Sequence, residues 1–168
     1  MLMPILLSLV LTSLPSTDCV VRRIVDGDTF YCEDGRKVRL IGIDSPELGQ
    51  GESGRDARDA LQSLMPLGRS VRLEGDAAPR DRWGRTLAWA WSGSRLVNEA
   101  MVRGGWAVLY TVPPNVKYAG RLERAQKEAR GAGAGLWKES GFGCLPSDYR
   151  RNQCLSSPSA PGEPAADR

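Results

Sequence analysis

Asp26-Gly27-Asp28-Thr29, Arg39, Asp44-Ser45-Pro46-Glu47 and Asp81-Arg82-Trp83-Gly84-Arg85 follow one another between residues 26 and 85. Carboxylates are the hard oxygen ligands that divalent cations prefer, and guanidinium forks are matched to phosphate oxygens. Asp28 and Asp44 are therefore candidate metal ligands. Glu47 is placed to orient or deprotonate a water, and Arg39 and Arg85 to neutralise a phosphoryl group as charge builds on it. The chemistry these types could do together is metal-assisted hydrolysis of a phosphodiester.

The chain excludes several alternatives. It contains no histidine, so Ser-His-Asp and Cys-His nucleophiles and every histidine-containing zinc site are ruled out. Four cysteines, Cys19, Cys32, Cys144 and Cys154, lack C-x-x-C spacing, which favours disulfides over a tetrathiolate metal site. Pairing Cys19 with Cys32 and Cys144 with Cys154 is the simplest of three connectivities. The net charge is +3, and without residues 156–168, which carry Glu163, Asp167 and Arg168, it is +4. The positive bias belongs to the body of the chain and is compatible with a nucleic-acid partner.

The elements must bring the acidic turns together. Cys19–Val25, Thr29–Cys32 and Lys37–Ile43 read as a three-stranded meander, with Asp-Gly turns between them. The excursion from Thr29 to Ile43 goes out and back, so Asp28 and Asp44 are expected at one end of neighbouring strands. Arg39 lies between Val38 and Leu40 and must point to the opposite face. Two like charges converging there need a compensating cation, and Ca2+ accepts the irregular oxygen shell such turns provide. Gly49–Gly54 reads as a mobile loop. Helices are expected over Arg55–Met65, Leu96–Gly104 and Tyr118–Gly131, and further strands near Ser70–Glu74 and Thr86–Trp91. The first helix should bury Ala57, Ala60, Leu61 and Leu64.

At 168 residues the chain has room for one ordinary domain, expected over 18–140, with a cysteine-containing extension at 141–155 and a disordered tail at 156–168. Residues 1–17 carry no charge and are rich in leucine, which suits a signal for export more than a membrane anchor. Paired thiols point the same way, to a periplasmic or secreted protein.

The strings VDGDT, VRLIGIDSPE and DRWGR, in this order, resemble the staphylococcal nuclease or thermonuclease family, over roughly Cys19 to Trp137. The resemblance implies an α+β fold, a five-stranded OB barrel with three helices. It also implies a Ca2+-dependent nuclease that cleaves DNA and RNA with little sequence preference, leaving 3′-phosphate ends. The implied metal ligands are Asp28, Asp44 and the backbone carbonyl of Ser45, and the implied catalytic groups are Glu47, Arg39 and Arg85. Tyr110 lies near the family's nucleotide-contacting tyrosines, although a core position serves it equally. Trp83 stands where the family commonly has tyrosine and could pack on the barrel or stack on a base, with packing the expected reading. The chain is expected to act as a monomer. The rival reading is an OB-fold module that binds nucleic acid or a protein without cutting; another is a domain that takes Ca2+ for stability alone.

Overall fold

The computed structural model describes residues 17–138 and 142–154. The expected signal segment therefore lies outside the described residues except for Thr17, and the tail at 156–168 lies wholly outside them. Strands β1 (Thr17–Ile24), β2 (Thr29–Cys32) and β3 (Lys37–Leu40) form the antiparallel meander. The next strand, β4 (Ile43–Asp44), is separate. After helix α1 (Glu52–Leu64) come β5 (Ser70–Glu74) and β6 (Thr86–Ser92). Antiparallel pairing of β1 with β5 and β5 with β6, and parallel pairing of β3 with β6, closes a five-stranded barrel. This is the α+β OB barrel the resemblance implies.

Its interior is filled by alternating residues of those strands, among them Val21, Phe30, Val38, Leu40, Val71 and Trp89. Short β7 (Arg95–Leu96) leads into α2 (Val97–Arg103), and β8 (Val108–Leu109) precedes α3 (Ala119–Ala132). The apolar stripe of α1 packs as expected, with Ala57 and Leu61 fully buried and Ala60 and Leu64 against the same core. A fourth helix, α4 (Pro146–Arg150), lies in the extension. Among the described residues no helix is long and apolar enough to cross a membrane.

Two expectations about this half of the chain need correction. The third strand does not run to Ile43: it ends at Leu40, because Gly42 adopts φ +78 and turns the chain away. A β-carbon at Gly42 would lie 2.6 Å from a methyl of Leu122 and 3.0 Å from the Trp89 ring, so only glycine fits. Beyond the turn, Ile43 and Asp44 pair instead with Leu109 and Val108. Asn98, buried on α2, supports this turn by donating Nδ2 to Ile41 O at 2.8 Å and accepting the Ala90 N–H at 2.9 Å. The second correction concerns Gly49–Gly54. It is ordered as a 3-10 turn, Leu48–Gln50, running into α1 two residues later. Leu48 and Gly49 open that turn, and Gln50 closes it with N–H to Glu47 O at 2.8 Å.

Both disulfides follow nearest-neighbour pairing. Cys19–Cys32 joins β1 to β2, and Cys144–Cys154 closes a short loop around α4.

Candidate functional site

The Asp26-Gly27-Asp28 turn and the Asp44-Ser45 strand end are in direct contact. Asp28 Oδ2 accepts the Ser45 N–H at 2.9 Å, and Asp28 Oδ1 accepts the Thr29 hydroxyl at 2.9 Å. Gly27 permits this approach, since a β-carbon there would lie 2.7 Å from Ser45 Cβ and 2.8 Å from Ala57 Cβ. Asp28, Asp44 and Ser45 are all buried, at 5%, 1% and 1% exposure. A pair of buried carboxylates demands positive charge nearby.

Arg39 supplies it. Its Nε lies 3.0 Å from Asp28 Oδ1 and its Nη2 lies 3.2 Å from Asp44 Oδ1, so a single guanidinium spans both carboxylates. Its Nη1 donates to the carbonyls of Leu40 and Ile43, at 2.7 and 2.8 Å. The alternation in β3 is the cause: Val38 and Leu40 enter the core while Arg39 leaves on the other face.

Asp28, Arg39, Asp44, Glu47, Arg85 and Tyr110 line one cavity of about 580 Å3. Arg85 reaches it because β6 runs parallel to β3, with Leu87 opposite Arg39, leaving Arg85 at the entry of the neighbouring strand. Its Nε lies 2.6 Å from Asp81 Oδ2, and Asp81 Oδ1 accepts the N–H groups of Trp83 and Arg85. Burial pushes Asp81 upward, but the Arg85 hydrogen bonds prevail and hold its carboxyl below the ordinary value. Tyr110 is 47% exposed and so not a core residue.

Trp83 also corrects its expectation. It is 66% exposed, not packed on the barrel, and sits at the tip of the Asp81-capped turn. There the guanidinium carbons of Arg82 and Arg85 lie 4.1 and 5.1 Å from its ring.

Sequence reasoning missed one participant, Arg150. It stands 106 residues from Asp44 in the chain, yet Nη2 lies 2.7 Å from Asp44 Oδ2 and Nη1 2.9 Å from Glu47 Oε1. The only cue was its position between two cysteines, because no periodicity relates α4 to β4. Hydrogen bonds that Arg150 donates to Asp44, and then to Glu47, hold its guanidinium charged well above its ordinary pKa. Asp44 itself is raised above the usual carboxylate value, chiefly by burial, against the pull of Arg150 and Arg39.

Asp26, at the rim, is pushed up to about 7, first by burial and then by the charge of Asp28. The folded protein thus keeps this proton between about pH 4 and 7, where the unfolded chain gives it up. Rising pH in that window favours the unfolded side, and Asp26 lowers stability there. Asp26→Asn, which keeps an acceptor for the Asp28 N–H, is expected to remove that slope. With EDTA present, the variant should be more stable than the parent above pH 7, by up to about 4 kcal/mol for a shift of this size, and equal to it near pH 4. Urea midpoints measured across the range check this; a constant difference at every pH would contradict it.

The donor set also fits a hard cation. Among the described residues no group of three or more His, Cys, Asp or Glu side chains is arranged to hold a metal. Two carboxylates and a carbonyl leave room for waters and a phosphate oxygen, which suits Ca2+. Ser45 Oγ is buried with no hydrogen-bond partner, a polar atom facing no protein donor or acceptor.

The sequence profile of the staphylococcal nuclease homologue family matches residues 37–139. A thermonuclease of Staphylococcus intermedius is 38% identical over 127 residues, covering 71% of this chain and 75% of that protein. A thermonuclease of Staphylococcus hyicus is 37% identical over 125 residues, 70% and 73% of the two chains. Endonuclease YncB of Bacillus subtilis strain 168 is 32% identical over 130 residues, 71% and 61% of the two.

Proposed function

This chain belongs to the staphylococcal nuclease family, and on that premise we propose that it is a Ca2+-dependent endonuclease acting on DNA and RNA without sequence preference. The observation that carries the reading is the Arg39 guanidinium spanning Asp28 and Asp44 in a cavity that Glu47 and Arg85 also line. The nuclease relatives support the same reaction class.

Asp28, Asp44 and the Ser45 carbonyl would hold Ca2+, which supplies, when bound, a Lewis acid for a phosphoryl oxygen. Glu47 orients a water and accepts its proton as the water oxygen attacks phosphorus. Arg39 and Arg85 meet the non-bridging oxygens, where negative charge grows in the transition state. The phosphorus–oxygen bond on the 5′ side breaks, the departing oxygen takes a proton, and the phosphate stays on the 3′ end. Trp83 and Tyr110, both exposed beside this charge, offer aromatic faces to bases and sugars. Export to an oxidising compartment belongs to the same proposal, with residues 1–17 as its signal, and is supported by the two disulfides.

The purified protein is expected to cut both DNA and RNA in a gel assay with Ca2+ and to stop in EGTA. Glu47→Gln should cut at least about a hundredfold more slowly while still retarding the nucleic acid. Retardation without cleavage by the parent protein would instead identify the non-catalytic binding module. Cleavage that persists in EGTA would overturn the calcium assignment.

A further inference from the structure

The segment from Cys144 to Cys154 is attached to the mouth of the site by three contacts of different kinds. Gln50 Nε2 donates to Cys144 O at 3.1 Å, while Gln50 Oε1 accepts the Glu47 N–H at 2.9 Å. One side chain thereby ties the segment to the backbone that carries Glu47. The Tyr149 hydroxyl closes on Gly49 so tightly that a β-carbon there would lie 2.3 Å from it. Arg150 completes the attachment, with Nη1 on Asp44 Oδ1 at 3.1 Å and Glu47 Oε1 at 2.9 Å, and Nη2 on Asp44 Oδ2 at 2.7 Å.

These contacts have a consequence for charge. Asp44 Oδ1 is already shared with Arg39, so Asp44 Oδ2, the oxygen turned from Arg39, is the face open to another cation, and Arg150 covers it. A guanidinium 2.7 Å from that oxygen and a divalent ion bound to it would repel each other at close range, so the two compete for the same face. The same side chain pairs with Glu47, whose carboxylate must be free to take a proton from water. Arg150 is 41% exposed, so it can leave towards solvent without opening the core. The Cys144–Cys154 bridge, which spans ten residues, keeps it close when it does.

We propose that Arg150, presented by the disulfide-closed segment 144–154, is an autoinhibitory latch that holds the carboxylate face of Asp44 and Glu47 until a divalent cation displaces it. The latch rests on the assignment of Asp44 to Ca2+. It lies beyond residues 37–139, the stretch matched by the family profile. Cation loading and freeing of Glu47 then become one event, so the water-activating carboxylate is released only when the metal is in place.

Calorimetric titration of the full chain with Ca2+, without nucleic acid, tests this directly. Arg150→Gln removes the competing charge and should tighten Ca2+ binding by on the order of tenfold. Cys144→Ser with Cys154→Ser loosens the presenting loop without touching a carboxylate, and should shift affinity in the same direction by a smaller factor. In the parent protein, saturating Ca2+ should speed hydrogen exchange of the backbone amides of residues 145–153, read by mass spectrometry. Unchanged or weaker Ca2+ affinity in Arg150→Gln overturns the latch, and a loss of cleavage at unchanged affinity would make Arg150 a phosphate-gripping residue instead. Exchange that does not respond to Ca2+ overturns it as well. If parent and variant bind Ca2+ equally, only the latch falls; if neither binds, the calcium assignment falls and takes the latch with it.

Discussion

Arg39→Ala is expected to weaken the fold and nearly silence the enzyme together. The side chain is 12% exposed, and its two acidic partners are 7% and 2% exposed, so removing it strands the buried Asp28 carboxylate beside Asp44, which keeps Arg150 alone as its cationic partner. Leu40 O and Ile43 O lose a donor in the same step. A loss of about 3 kcal/mol is the expected scale for breaking a buried ion pair from one side. By the proposed mechanism the variant would lack one of two guanidinium groups on the phosphate, worth about 3 kcal/mol of transition-state stabilisation, or about a hundredfold in rate. Urea unfolding and single-turnover cleavage, run on the same preparation, read the two effects separately. Added Ca2+ should restore part of the stability, because a cation between Asp28 and Asp44 replaces some of the missing charge, but it should not restore the rate. Arg39→Lys keeps the charge and loses the fork that spans both carboxylates, so it should fall between the two. An Arg39→Ala protein of normal stability and full activity would remove the basis for the proposed mechanism.

Arg85→Ala is expected to show the rate effect alone. Arg85 lies on a turn at the edge of the barrel, and its acidic partner Asp81 keeps the Trp83 N–H as a hydrogen-bond donor after the side chain is gone. Stability should therefore change by no more than about 1 kcal/mol. Cleavage should slow by about a hundredfold or more, with kcat falling further than KM rises, since the contact strengthens as phosphoryl charge grows. Asp81→Asn offers a graded check: it leaves Arg85 in place but slackens the carboxylate that aims it, and should slow the reaction by a smaller factor. A variant that binds nucleic acid poorly yet turns over normally at saturation would reassign Arg85 to substrate capture.

The different consequences expected for these two arginines come from their surroundings, which the sequence describes unequally. That Arg39 must face away from Val38 and Leu40 follows from the two-residue period of a strand. That Asp28 and Asp44 must meet follows from the length of the intervening hairpin. Both conclusions use local geometry, and the Arg39 bridge realises them. Where the third strand ends was not legible by the same rule, because the run Leu40–Ile43 is apolar throughout and its break is made by Gly42 against Leu122 and Trp89. Trp83 was misjudged for a related reason. Aromatic residues are usually buried for their area, but the hydrogen bonds of Asp81 hold this one at the tip of an exposed turn. Buried Asn98 gave no local sign of its role either, since the carbonyl it satisfies belongs to Ile41 on another element.

The sequence by itself determined the meander and the meeting of Asp28, Arg39 and Asp44, because strand periodicity and turn chemistry act over a few residues and leave their mark there, while the barrel and the family were carried by the resemblance of three ordered motifs. Only the tertiary structure decided that α4 folds back on the site and that Arg150 covers Asp44 and Glu47. That contact is made between segments about a hundred residues apart, through charge and fit between surfaces. Such a meeting depends on where the whole barrel puts its rim, and no pattern within either segment records it.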